Sequence, residues 1–525
     1  MIGVRWTAAT AAWVGFVAIT AWVILDNVRG DSVWSLLLTL LGWVLVVMAL
    51  SSLITVRGAT ARQWFLRWWR ARREVLRSSW IVDSKGRAMV WDGRSARMFI
   101  EVVGKPWALS RVSSTGESST PPLPLDDLRD VLRQYDIKLA HIRVVQYGYK
   151  VASEDRASTS VLSVMGTLPH QLGGRTFIEV SVPLLDNLNA VDSRQTDRGT
   201  VADGVTRTIS IATSRVLRVL HTHNISARAV PPSAVLGIHA DVFSGVGRAA
   251  AVSGWSHLGA SGDATVGAVV SFVPTQWSYK SQLMWNEVHA LRQYTCLSLR
   301  PEGNGDTISY ATSYLTDDPD SLALLPSQGL RRENGRHMAR VSNLLPVARD
   351  LRVDDDGGRY LNPKEDAGVI LPSHPLGVYL GLNEKRDRTF MYVGRGGEPL
   401  WFIGAEDYAK RVTLRLSTQR HRIRVSVDGW QRFVSTRNSR LLQMTSDPLR
   451  EYSTCDVLVV TPEQALTLPR EEDGPAVIVV ASDFPPIDPH NAVIPIGGSQ
   501  LQVVVGKEEE VILAEEPSTE RAWVV

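Results

Sequence analysis

The chain has 525 residues, with 57 Lys+Arg against 54 Asp+Glu and a net charge of +3, too small by itself to argue for a nucleic-acid partner. A hydrophobic fraction of 44% and a charged fraction of 21% exclude a wholly disordered or fibrous chain, and the length suits about two to four units at ~100–200 residues each. Two cysteines, Cys296 and Cys455, exclude a disulfide-stapled framework and an all-Cys metal site, and they fit a reducing compartment.

The N-terminus departs from this average. Nine of the 17 tryptophans fall in the first 80 residues. Residues 6–25 and 32–56 carry no charge, and a helix needs ~20 apolar residues to cross the hydrocarbon. The polar turn 26–31 lies between them and contains no small-residue cleavage site. The pattern predicts a transmembrane hairpin over 1–57, with spans at about 6–25 and 32–56. Arg57, Arg62, Arg67, Arg70, Arg72, Arg73 and Arg77 follow, opposed only by Glu74. The positive-inside rule then puts both termini and the large domain in the cytoplasm, at the plasma membrane.

Residues 58–80 read as an amphipathic juxtamembrane helix. Trp64, Phe65, Trp68 and Trp69 share one face, and Arg62, Arg70, Arg73 and Arg77 share the other. Such a helix suits the headgroup layer, each Arg near an anionic leaflet adding ~1 kcal/mol. These eight residues are the expected contacts with the lipid bilayer or with a partner subunit. No nucleic acid is expected here, directly after a predicted span.

Beyond residue 80 the pattern is α/β. A first lobe is expected over 81–345, a linker over 346–374 and a second lobe over 375–525. In the first lobe, strands are expected at 80–91, 98–103, 137–146, 176–182 and 225–230. Residues 110–124, rich in Ser, Thr and Pro, have the composition of a flexible linker. Val201, Val205, Ile209, Ala212, Val216 and Leu220 recur at three- and four-residue steps and predict a helix over 200–221. A strand–helix–strand run of this kind implies a crossover and mainly parallel pairing. A helix at 279–291 and strands at 295–299 and 307–311 follow. The second lobe should hold a hairpin at 377–382 and 389–393 and a helix at 406–418. Its further strands are expected at 422–427, 457–460, 477–480, 501–505 and 511–514. The expected fold class is α/β, with mixed, partly parallel sheets in two related lobes behind the transmembrane hairpin.

Three stretches of residues carry a resemblance: 175–180 (Arg-Thr-Phe-Ile-Glu-Val), 186–191 (Asp-Asn-Leu-Asn-Ala-Val) and 375–382 (Pro-Leu-Gly-Val-Tyr-Leu-Gly-Leu). With the N-terminal layout, they resemble EccE, a membrane-complex component of the actinobacterial type VII (ESX) secretion system. The resemblance implies a non-catalytic scaffold subunit in a hetero-oligomeric inner-membrane assembly with EccB, the ATPase EccC and EccD, exporting proteins across the plasma membrane. It also implies a glycosyltransferase-like cytoplasmic fold without a working site. A membrane-anchored glycosyltransferase-like enzyme is the alternative.

The residues themselves offer little chemistry. Gly497-Gly498 and Gly506-Lys507 have the wrong spacing for a phosphate loop, and Glu508 stands where a hydroxyl is needed. Gly394-Arg395-Gly396-Gly397 reads as a hairpin turn rather than a dinucleotide loop. Ser253 to His257 lacks the strand and helix of a nucleophile elbow. His221 and His223 read as helix-terminal, and the two cysteines as buried thiols. Asp354-Asp355-Asp356 could hold a divalent metal against a sugar diphosphate, but it reads as a solvated acidic turn. No catalytic, cofactor-binding or metal-binding residue is expected, and no cofactor.

Overall fold

The computed structural model describes residues 2–4, 8–27, 33–56, 59–60, 64–65, 68, 79–84, 86–149, 160–161, 165, 168–195, 200–250, 252–259, 267–288, 290–303, 305–348, 358–362, 365–419, 421–435, 441–471, 474–485, 489–515, 520 and 523–524. At the N-terminus, helix α1 (Ala8–Asn27) packs against α2 (Val33–Leu53). The short strand Ile2–Val4 pairs with Ile54–Val56, which also pairs with Ala59–Thr60.

The expected transmembrane hairpin is corrected here. Among the described residues no helix is long and apolar enough to cross a membrane. The second uncharged run also does not stay helical, since its last three residues are extended and paired.

The first lobe is a three-layer α/β unit. In spatial order its sheet runs Leu330–Arg332, Ala268–Pro274, Gly305–Thr316, Arg292–Glu302, His141–Tyr149, Gly173–Pro183, Ser95–Val102, Arg87–Trp91 and Trp80–Ser84. Ala227–Ala229 pairs with Ser95–Val102, and Gly358–Leu361 pairs with Gly305–Thr316. Helix α3 (Val201–Thr222) starts in a capping box between Thr200 and Asp203. It lays Val205, Ile209, Ala212, Val216 and Leu220 on the face bearing Ile100, Val144 and Ile178. Helix α4 (Pro232–Ala250) covers the other face, placing Val235, Ile238, Val242 and Val246 against Phe99, Val145 and Phe177. The period-2 alternation of the strands thus feeds two cores.

Two expectations fail in this lobe. Every pairing of its sheet is antiparallel, so the strand–helix–strand run does not make adjacent parallel strands. Gly173–Pro183 and Ala227–Ala229 are parallel to each other, but Ser95–Val102 lies between them and runs the opposite way. The segment 110–124 is not a loose linker. Leu109–Val112 pairs with Arg388–Met391, and Ser113 to Ser119 close a tight hydrogen-bonded turn.

The second sheet runs Leu442–Met444, Ile423–Val425, Val457–Val460, Ala476–Ala481, Leu400–Ile403, Asn491–Gly497, Gln500–Val505, Glu508–Leu513, Val378–Asn383, Arg388–Met391 and Leu109–Val112. Its first six strands are parallel and the rest pair antiparallel. The mixed α/β class therefore holds, but the two sheets have different topologies and are not repeats of one unit. After helix α5 (His337–Ser342) in the first lobe, helix α6 (Glu406–Ser417) fills the second core with Tyr408, Val412 and Leu416. The backbone knits the lobes. Leu376 and Gly377 donate to the carbonyls of Gln171 and Leu172, and Trp107 donates to Tyr392.

Candidate functional site

A cleft of about 700 Å³ opens where the two lobes meet. The first lobe contributes Glu101, Arg175, Arg228 and Arg292 from strands, with Asp241 and Ser244 from α4. The second lobe contributes Arg395, His421, Arg422 and Asp456 from loops. His421 and Arg422 precede Ile423–Val425, and Asp456 precedes Val457–Val460. The cleft therefore sits at the amino ends of the parallel strands. Open α/β sheets place their ligands outside the carboxyl ends, so this is a junction between lobes rather than the crevice of the second sheet.

Each wall carries two arginines on one carboxylate. On the first, Arg175 Nε donates to Glu101 Oε1 at 2.8 Å, and Arg228 reaches Oε2 at 3.2 Å. Burial alone would raise the Glu101 pKa, but Arg175 and then Arg228 outweigh it and hold the carboxyl below its ordinary value. On the second, Arg395 and Arg422 both reach Asp456 Oδ1 at 3.2 Å, and the backbone N–H of Arg422 donates to Oδ2 at 2.9 Å. Burial opposes ionisation there too, and Arg422 again prevails, leaving the Asp456 pKa lowered. Burial lowers the pKa of His421, so its imidazole is neutral at pH 7. Arg292 donates to the Asp241 carbonyl at 2.9 Å, and Tyr147 Oη donates to Asp241 Oδ2 at 2.9 Å. The arrangement is built to hold negative charge.

The residues expected at a membrane or partner surface are described only in part. Trp64, Phe65 and Trp68 are helical; Arg62, Trp69, Arg70, Arg73 and Arg77 lie outside the described residues. Trp64 does not stand alone: its ring centroid is 5.4 Å from that of Trp255 in the first lobe. Phe65 and Trp68 are exposed at 59% and 41% and lie 6.0 Å apart.

Other sequence candidates fall out differently. His221 Nε2 meets the Ala227 carbonyl, and His223 pairs with Asp127. Cys296 and Cys455 are buried free thiols whose pKa burial raises, Cys455 to about 11. Asp354-Asp355-Asp356 lies outside the described residues. Among the described residues no group of three His, Cys, Asp or Glu could hold a metal ion. Gly394-Arg395-Gly396-Gly397 is not a hairpin turn. It joins Arg388–Met391 to Leu400–Ile403, which are not neighbours, and packs on Gly104 and Pro106. Sequence reasoning missed the cleft, because its charges come from eight separated segments and form no local motif.

Part of the first-lobe wall of the cleft, Arg175, Arg228, Asp241 and Ser244 among it, falls within a segment that a known family model matches. Residues 174–268 match the EccE family model. Its description reads "Putative type VII ESX secretion system translocon, EccE". No curated protein matches the chain. The match covers β-strand, α3, crossing strand and α4 as one continuous unit. The match spans 95 of the 525 residues and is a similarity to the model of a type VII secretion translocon component.

Proposed function

We propose that this chain is a non-catalytic scaffold subunit of an inner-membrane type VII secretion complex, assembled with EccB, the EccC ATPase and EccD. The observation that carries the reading is the EccE match over 174–268. That segment forms an interior strand, Gly173–Pro183, and the two long helices α3 and α4 of the first lobe, so it is structural core rather than a grafted motif. The lobes face the cytoplasm in this reading, which the two separate buried thiols support.

Trp64, Phe65, Trp68 and Trp69, with Arg62, Arg70, Arg73 and Arg77, form the surface through which the lobes are positioned against lipid headgroups or a neighbouring subunit. The exposed Phe65 and Trp68 rings support this placement, since large apolar groups in water favour a partner. Changing the four arginines to Glu should leave the lobes folded and lower recovery of the chain in the complex. Recovery at the wild-type level would remove this surface from the account. For the scaffold role, Asp354→Asn with Asp356→Asn should restore secretion to a strain lacking the chain. Failure of that variant to restore it, while folded and assembled, would favour an enzyme.

A further inference from the structure

The interlobe cleft has more to it than a seam. Five arginines line it, Arg175, Arg228, Arg292, Arg395 and Arg422, against the carboxylates Glu101, Asp241 and Asp456. With His421 neutral, the described lining residues carry five positive charges against three negative. A seam needs only matched pairs. Two arginines on one carboxylate, repeated on each wall, hold more N–H donors than the carboxylate oxygens can accept. Arg395 and Arg422 remain about half exposed to the cleft, at 53% and 50%.

We propose that this cleft binds a phosphorylated small molecule of nucleotide size. Guanidinium forks match phosphate oxygens bidentately and stay charged at any physiological pH. The two carboxylates fix the arginines in place, so little side-chain entropy is lost on binding. The volume of about 700 Å³ lies within the ~300–1,000 Å³ of small-molecule sites. The lining also includes Tyr149 and Tyr392, which supply aromatic surface for a base or sugar. The arginines, not a helix N-terminus, carry the anion. Because each lobe supplies one Arg–carboxylate–Arg wall, a bound anion ties the lobes together.

The test is calorimetric titration of the full chain with ADP, with sodium pyrophosphate and with a tetraglutamate peptide. ADP should bind saturably and more tightly than pyrophosphate, and both more tightly than the peptide. Arg228→Gln and Arg422→Gln, one on each wall, should each weaken ADP binding about tenfold or more, a loss typical of removing one charged contact. Arg395→Gln, at the exposed rim, serves if Arg228→Gln fails to fold. The absence of saturable ADP binding below about 1 mM overturns the proposal, as do variants that bind like the wild type. Peptide binding as tight as ADP overturns the phosphate assignment, and pyrophosphate binding as tight as ADP overturns the nucleotide size. None of these results bears on co-purification with secretion subunits, so this proposal and the scaffold reading fail separately.

Discussion

Glu333 follows the strand Leu330–Arg332 and has its side chain 1% exposed, with Arg340 at 2.9 Å, Arg331 at 3.3 Å and Arg336 at 3.8 Å. Burial alone would raise its pKa, but Arg340, Arg336 and Arg331 together hold it at about 2, against an ordinary 4.5. At ~1.4 kcal/mol per pKa unit, that difference makes the ionised carboxylate worth about 3 kcal/mol to the folded first lobe. Glu333→Gln removes the charge and leaves the guanidiniums facing one another in the interior, a loss measured elsewhere at ~3–5 kcal/mol. The expected drop in melting temperature is about 10 °C for a unit of this size. Because the folded pKa is depressed, the contribution is fully present above pH ~4.5 and fades as pH falls toward ~2. Urea unfolding followed by tryptophan fluorescence should therefore show a gap between wild type and variant that is flat from pH 7 to pH 5 and narrows below ~4.5. A gap under about 1 kcal/mol at pH 7, or one that widens on acidification, would refute the reasoning.

His337 is buried beside this cluster and accepts a hydrogen bond from the Ser271 N–H at Nδ1, and burial lowers its pKa to about 3. Since the unfolded chain takes up that proton and the folded one does not, stability should fall below pH ~6.5 by up to ~1.4 kcal/mol per unit, and His337→Asn should remove that share of the slope in denaturation at pH 7 and 5. Arg415 and Glu520 are each 1% exposed and 2.8 Å apart, so Glu520→Ala strands a buried guanidinium and should cost the second lobe ~3–5 kcal/mol, read by urea unfolding. Gly377 has φ +92° and a Cβ there would strike the Met391 carbonyl, so Gly377→Ala should break the hairpin of Val378–Asn383 with Arg388–Met391, seen as lost amide protection in hydrogen exchange. Trp255→Ala should release Trp64 and raise protease sensitivity ahead of residue 79.

Periodicity carried the parts of this fold that are locally encoded. The stripe from Val205 to Leu220 marked α3, and Tyr408, Val412 and Leu416 marked α6, because each helix buries one face. Helix α4 is equally legible in Val235, Ile238, Val242 and Val246, but Pro231-Pro232 directly follows the strand expected at 225–230 and suits the end of a strand as well as the start of a helix. Pro232 in fact opens the helix, where its missing N–H costs nothing. Strand partners were not legible. Leu109–Val112 finds its ladder with Arg388–Met391, far along the chain, and alternation cannot say which edge a strand will meet. The same distance hides the cleft: Glu101, Arg228 and Asp456 become neighbours of one cavity only after both lobes fold. The uncharged N-terminal runs showed the opposite failure. Hydropathy without geometry predicted two spans, and the structure returns a helix pair closed by Ile2–Val4 on Ile54–Val56.

The scaffold role is tested most directly by purifying the tagged chain from native membranes under mild detergent and identifying what travels with it at stoichiometric yield. The account predicts a single large assembly containing an EccC-type ATPase together with EccB and EccD, retained in the Asp354→Asn, Asp356→Asn variant. Recovery of the chain alone, or with no ATPase of that type, would contradict it.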